Sequence, residues 1–387
     1  MIIQIWFTDF VIFVIEAVNT TVITATSLQW KTITYYTLNH IKMKFGNFFS
    51  GIMRLSFPVF TIIVILQGCG PAENTGAADV NSFPDPEYSL GKDQTHNKFS
   101  ASIEPVLRVP SGAVIEVFTE DAADEQILPG MTAEEYSLID YDGNLVHPLT
   151  GPVYVEGASP GDVLKVTLHK IEIGTWGWTR VVPGIFIDSE DFDPLLRTWQ
   201  LDSDMSMVEF SDGINIPLKP FAGVMGVAPP DTTMLSTIPP RANGGNMDDR
   251  DITEGTVIYF PVFVDGALFS IGDMHAAQGA GEVCGTAIEI PGRIIYQVEV
   301  IQNDRQMVEP QYETDDYYAV TAFAPTLDEA ARKANVYMID YLESIHGLDR
   351  SNAYMLTSLA ANLKIAEVVD RNMLVTMHLP KSIFDNN

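Results

Sequence analysis

Asp162-Val-Leu-Lys-Val-Thr-Leu168, Thr256-Val-Ile-Tyr-Phe-Pro-Val-Phe-Val264 and Gly292-Arg-Ile-Ile-Tyr-Gln-Val-Glu-Val-Ile301 decide the fold class. Their apolar residues alternate or fill short unbroken runs, the pattern of strands with one or both faces buried. Ala113-Val-Ile-Glu-Val-Phe118 repeats the pattern upstream, and Pro110-Ser-Gly112, Ser159-Pro-Gly161 and Asp265-Gly266 supply turns between the runs. Many short strands between residue 99 and about residue 305 predict a mainly β chain, either a sandwich or a closed β form. Helical spacing is confined to the C-terminal part. Thr326-Leu-Asp-Glu329 predicts a helix start, with Ala330, Ala334, Met338, Ile339 and Leu342 on one face and a stop near Gly347. A second helix is predicted from about Arg350 through Tyr354, Leu356, Leu359 and Leu363, and Ala366–Met377 reads as a strand or a return loop.

The 387 residues are 46% hydrophobic and 19% charged, a composition that excludes a disordered chain and allows one large or two intimate domains. A net charge of −29 repels phosphate backbones, so no nucleic-acid partner is expected.

The first hundred residues carry a different message. Met43-Lys44 and Arg54 precede the apolar run Leu55–Leu66, which ends at Gln67-Gly68-Cys69. Basic, then apolar, then small is the order of a secretory signal, and a run of about a dozen residues is too short to span a bilayer. Leu66-Gln67-Gly68-Cys69 resembles a bacterial lipobox. Residues 43–68 therefore read as a lipoprotein signal peptide and Cys69 as the lipidated residue, which implies export and an outer-membrane anchor. Residues 1–42 read as an over-called N-terminus, and residues 70–98, rich in Pro, Gly, Asn and Asp, as a flexible tether. The other cysteine, Cys284, sits among small apolar neighbours with no nearby cation to stabilise a thiolate, and reads as a buried structural thiol.

Chemistry concentrates between Ile238 and Ile290. Gly244-Gly245 precedes Asn246 and Asp248; adjacent glycines let backbone N–H groups approach a ligand, or simply form a turn. If the strand after Gly266 continues through Gly272-Asp273-Met274-His275, Asp273 and His275 face one side. Such a pair suits two-point binding of a divalent metal, or a base with its orienter. Gln278 follows within three residues, and Glu282 returns after a Gly-Ala-Gly turn.

The runs Gly244-Gly-Asn-Met-Asp248 and Gly272-Asp-x-His275-Ala-x-Gln278-Gly-x-Gly-Glu282 resemble the central motifs of the acetamidase/formamidase family. Thr150-Gly-Pro-Val-Tyr-Val-Glu156, the stretch Pro217–Pro229, Ala353-Tyr-Met-Leu356 and Leu379-Pro-Lys-Ser382 extend the resemblance over residues 99–384. It implies a jelly-roll-type β-sandwich with an appended α+β portion, a homo-oligomer, and hydrolysis of small linear amides such as formamide or acetamide to ammonia and a carboxylate. It also implies a divalent metal, zinc or calcium, with Asn246, Asp248, Asp273 and His275 as ligands and Glu282, Asp273 and His275 as the catalytic set. Gly244, Gly245, Gln278 and Glu156 are the implied substrate contacts. The chain departs from the family pattern at Ala280, where an Asp is usual, and this leaves a lactam or a larger amide open as substrate. A reading of another class stands beside it: a surface lipoprotein that binds a small ligand or glycan on the same scaffold without turnover.

Overall fold

The computed structural model describes residues 2–7, 11–16, 83–187, 192–193, 195–303 and 307–384. The predicted signal peptide, Cys69 and the tether up to residue 82 lie outside them. Ahead of residue 78, Ile2–Phe7 and Val11–Glu16 pair as an antiparallel hairpin in a unit of their own.

The rest of the described chain is mainly β, as the alternating runs predict. One nine-stranded sheet orders Asn362–Glu367, Met373–Pro380, Tyr317–Ala324, Gln311–Glu313, Val257–Pro261, Asp162–Ile173, Gly292–Gln302, Val114–Thr119 and Tyr88–Leu90. Four of its strands are those read directly from sequence. The second nine-stranded sheet carries the site. Its path runs Leu196–Gln200, Trp176–Arg180, Glu289–Ile290, Phe269–His275, Phe221–Gly226 and Gly244–Asn246, and Leu149–Val155 pairs with the first half of Phe269–His275.

Alternation explains how the sheets bury each other. Leu164, Val166, Ile294 and Tyr296 from the first sheet and Met225, Phe269, Ile271 and Ile290 from the second share one fully buried core. The opposite face of the first sheet, through Val320, Ala322, Val375 and Met377, packs on Ala330, Ala334, Met338 and Leu342 of the helix Leu327–His346. Thr326 caps that helix by accepting the Glu329 N–H at 3.3 Å. A fully buried apolar side chain contributes about 1.5–3 kcal/mol, so these two interfaces dominate the stability of the domain.

Two boundaries differ from the sequence reading. The second helix ends at Ala360, and Leu363 lies in the strand Asn362–Glu367. Of the residues that mark the helix, Leu356 packs against the core with Ala353 and Ala360, whereas Tyr354 and Leu359 are 61% and 83% exposed. The folded domain also starts before residue 99. Tyr88–Leu90 pairs with Val114–Thr119, and Thr95–His96 pairs with Leu149–Val155. Strands of two or three residues are too short to show a period, so the sequence reads as tether where the backbone is already in a sheet.

Candidate active site

His275 ends the strand Phe269–His275 and is held from both sides by the ladder. Phe221 lies opposite it on one flank, with the rings edge to face at 5.0 Å, and Glu289 lies opposite it on the other. Directly opposed residues approach closely in an antiparallel pair, so the register alone brings Glu289 to the imidazole. His275 Nε2 lies 3.0 Å from Glu289 Oε2 and 3.5 Å from Asp273 Oδ2. Its Nδ1 is 2.8 Å from Gln278 Oε1 and 3.8 Å from Asp248 Oδ1.

Gln278 fixes the tautomer. Its amide nitrogen donates to the Asp248 carbonyl at 2.7 Å, which turns Oε1 toward the ring. An amide oxygen only accepts, so Nδ1 carries a proton. In a neutral ring, Nε2 is then a lone pair facing two carboxylates.

Asp248, Asp273 and Glu282 hold positive φ values of 42°, 54° and 48°. This region is unfavourable for residues with a side chain, and where it persists it clusters at functional sites. The three bends lie at the carboxylates that gather around His275. Asp248, His275 and Glu282 place donor atoms within 4.8 Å of one another, and Asp273, His275 and Glu289 do the same. Gly223 marks the point of convergence. A Cβ there would sit 2.5 Å from Asp248 Oδ1, 2.8 Å from Asp273 Oδ2 and 2.8 Å from His275 Cε1.

The cluster is buried and strongly anionic. Asp248, Asp273 and His275 are each 2% exposed or less. Burial, and then the charges of Asp273, Asp370 and Glu367, push the Asp248 carboxyl well up despite the opposing pull of His275. Burial, then repulsion from Asp248, Glu289 and Asp273, does the same to Glu282. Burial also works against ionisation of Asp273, but the His147 and His275 charges outweigh it and hold that carboxyl at about 2. Burial would lower His275, yet the Glu289 and Asp273 charges raise it well above its ordinary range.

A cavity of about 600 Å³ opens beside the cluster, and Gln278 and Glu282 line it. Glu282 therefore links the buried acids to the cavity. Its turn is braced from the first sheet: Gly281 N–H donates to the Ala366 carbonyl at 2.8 Å, and Val368 N–H donates to the Gly281 carbonyl at 3.1 Å.

The other expected residues fall differently. Asn246 donates to Asp370 Oδ2 at 3.2 Å, and its own Oδ1 is buried without a hydrogen-bond partner. Gly244 and Gly245 lie in the strand Gly244–Asn246, paired with Gly226 and Met225. Gly244 N–H already donates to the Arg241 carbonyl at 3.0 Å, and both glycines use φ near +100° to press against the Phe221–Gly226 strand and the Thr237–Pro240 segment. Neither glycine is among the cavity-lining residues. Glu156 is exposed at the end of Leu149–Val155, with its N–H on the Val109 carbonyl, and is not among the cavity-lining residues. Cys284 is half-buried on the cavity wall rather than in the core. Its turn, closed by the Gly285 N–H on the Glu282 carbonyl, carries it there.

Sequence reasoning missed Glu289, His147, Asp370 and Gly223. Glu289 did have a signal: an acid inside the apolar run Ala287-Ile-Glu-Ile290 has no reason to be buried unless it is used. His147, half-buried with an unpartnered Nδ1, had none, since it reaches the cluster only through folding.

The Acetamidase/Formamidase family pattern matches residues 85–236 and 231–386. A formamidase of Methylophilus methylotrophus is 26% identical over 370 residues, covering 76% of this chain and 90% of the relative. An acetamidase of Mycolicibacterium smegmatis is 27% identical over 272 residues, covering 54% of this chain and 66% of the relative. The crystal structure of an acetamidase from Bacillus halodurans superposes with a TM-score of 0.71 at 32% identity, over 77% of this chain and 98% of that one. The match spans both sheets, the site loop and the C-terminal helices, and the chain therefore belongs to the acetamidase/formamidase family.

Proposed function

We propose that the chain hydrolyses the C–N bond of carboxamides, formamide and acetamide among them, at the junction of the acidic cluster and the cavity. The observation that carries this reading is Glu282, a buried carboxyl with raised proton affinity that lines a cavity large enough for a substrate. Water adds to the amide carbon, its proton passes to the Glu282 carboxylate, and the same proton goes to the departing nitrogen as the C–N bond breaks. The immediate products are ammonia and the carboxylic acid, whose proton then passes to ammonia, so that ammonium and the carboxylate leave and atoms and protons balance. Gln278 orients His275 through Nδ1 and ties it to the Asp248 backbone.

The donor set fits a divalent cation. Both Asp248 carboxylate oxygens, Asp273 Oδ1 and Glu289 Oε2 are buried without hydrogen-bond partners, a costly arrangement unless positive charge sits among them. Asp273, Glu289 and the Nε2 lone pair of His275 would hold the ion, with Asp248 alongside. The chemistry such an ion supplies when bound is polarisation of a carbonyl and acidification of water, to a pKa of about 7 in zinc sites. Imidazole with carboxylates suits zinc; calcium prefers oxygen alone. Cys284 is not needed as nucleophile, since its thiol donates to the Arg180 and Thr286 carbonyls rather than to a base.

Export, lipidation at Cys69, outer-membrane attachment and homo-oligomerisation belong to the same proposal. They rest on the signal-like order of residues 43–69 and on the family resemblance, and metabolic labelling with palmitate in wild-type and Cys69→Ala cells tests the anchor. The reaction is tested by ammonia release from an amide panel, with metal content measured on the same preparation. No ammonia from any amide, together with retained ligand binding, would leave the non-catalytic binder as the reading. Full-rate formamide hydrolysis by both metal-stripped and Asp273→Asn protein would remove the metal from the scheme.

A further inference from the structure

The cavity is far larger than formamide or acetamide requires. Pockets of about 300–1,000 Å³ enclose drug-sized ligands, and this one, at about 600 Å³, lies in the middle of that range. Its walls are chemically divided. Gln278 and Glu282 join it to the acidic cluster, and its apolar lining includes Trp199, Phe210, Ile216, Pro217, Val283 and Ile288. We infer, resting on the amidase reading above, that the substrates are carboxamides with an extended apolar acyl group: the amide sits at Glu282 and the hydrocarbon lies along this wall.

Trp199 and Ile216 in this wall also pack against the main core. Phe210, Ile216 and Pro217 come from the two-stranded hairpin Met207–Ser211 and Ile214–Pro217, which pairs with neither large sheet. Val283 keeps 52% of its surface exposed, a poor use of an apolar side chain unless something covers it, while Phe210, 40% exposed, carries the Arg197 guanidinium 4.1 Å from its ring centre. Trp199 is oriented by its ring N–H, which donates to the Glu209 carbonyl at 3.0 Å and ties the strand Leu196–Gln200 to the hairpin. Ala280 adds a methyl group to the lining where a polar side chain would have met the acyl group.

The two cations at the cavity do not argue for an anionic substrate. Lys219 faces Asp251 at 3.4 Å, and Arg250 donates to the Gln278 carbonyl at 3.0 Å, so both charges have protein partners. Their position also holds the Gln278 loop in place. Most of the remaining lining is apolar, with Thr179, Cys284 and Thr286 as its polar members.

The test is ammonia release by the full chain from formamide, acetamide, hexanamide and phenylacetamide. Burial of acyl surface in the transition state predicts that kcat/KM rises about fourfold per added methylene from acetamide to hexanamide. Equal or higher kcat/KM for acetamide overturns the inference. Phe210→Ala and Ile216→Ala proteins are expected to lose about tenfold in the hexanamide-to-acetamide ratio, as is Ala280→Asp, which changes a surface loop and leaves the cores untouched. An unchanged ratio in all three overturns it as well. If no amide releases ammonia, the amidase reading itself fails. Calorimetry then decides the cavity on its own: phenylacetamide binding at least tenfold tighter than acetamide sustains an apolar ligand class, and equal binding removes it.

Discussion

Gln278 Oε1 accepts the Nδ1–H of His275 at 2.8 Å while Gln278 Nε2 donates to the Asp248 carbonyl at 2.7 Å. One amide therefore sets the tautomer of the imidazole and ties it to the segment carrying a second cluster residue. Outer partners of this kind typically change metal affinity or activity by about 10–100-fold when removed. A Gln278→Leu protein is expected to fall in kcat by that factor with its melting temperature little changed. Wild-type kcat would show that the hydrogen bond does not position His275.

Gly223 is a second sharp test. Any side chain there enters the space shared by Asp248, Asp273 and His275, and the nearest atoms belong to the cluster itself rather than to flexible tips. Gly223→Ala is expected to abolish measurable amide turnover and weaken cation binding while circular dichroism retains the β signal. Unimpaired turnover would mean that the cluster can spread without loss.

Glu289 is expected to matter as much as the residues of the central motif. Removing its charge with Glu289→Gln takes away one of the two carboxylates that face His275 Nε2. Cation affinity, read by competition with a fluorescent chelator, should drop at least about tenfold. In metal-free protein, the His275 ring should also lose its proton at lower pH than in wild type, because the Glu289 charge is the largest contribution raising it. An unchanged histidine titration by NMR would contradict this.

Glu367 predicts a pH effect on stability away from the reacting atoms. It is fully buried; burial, followed by the Asp370 charge, pushes its carboxyl up to about 8. The folded state then binds the proton more tightly than the unfolded chain. Its contribution is fully present below the ordinary Glu range near 4.5 and is lost as pH rises toward about 8. Glu367→Gln should flatten the fall in melting temperature across that window and be the more stable protein at its upper end, by a few kcal/mol at most. Parallel pH profiles for the two proteins would rule out Glu367 as the source.

The β class, four long strands of the first sheet, the Thr326 cap and the Asp273/His275/Glu282 set were legible because each depends on local pattern: period two, a capping hydroxyl, chemistry-bearing side chains within ten residues. The strands at 88–90 and 95–96 were not, since two or three residues cannot display a period. The second helix was overextended because Leu359 and Leu363 continue an apolar spacing that no partner surface covers.

By itself, then, the sequence determined which segments are strands and which residue types gather near position 275. Only the tertiary structure decided that Glu289 faces His275, that Gly223 leaves room for three cluster side chains, and that Gly244 and Gly245 serve strand packing. The reason is physical. Propensity and periodicity act over a few bonds along the chain, whereas ladder register and sheet packing join residues that are far apart in it, and it is those contacts that set charge, burial and reach.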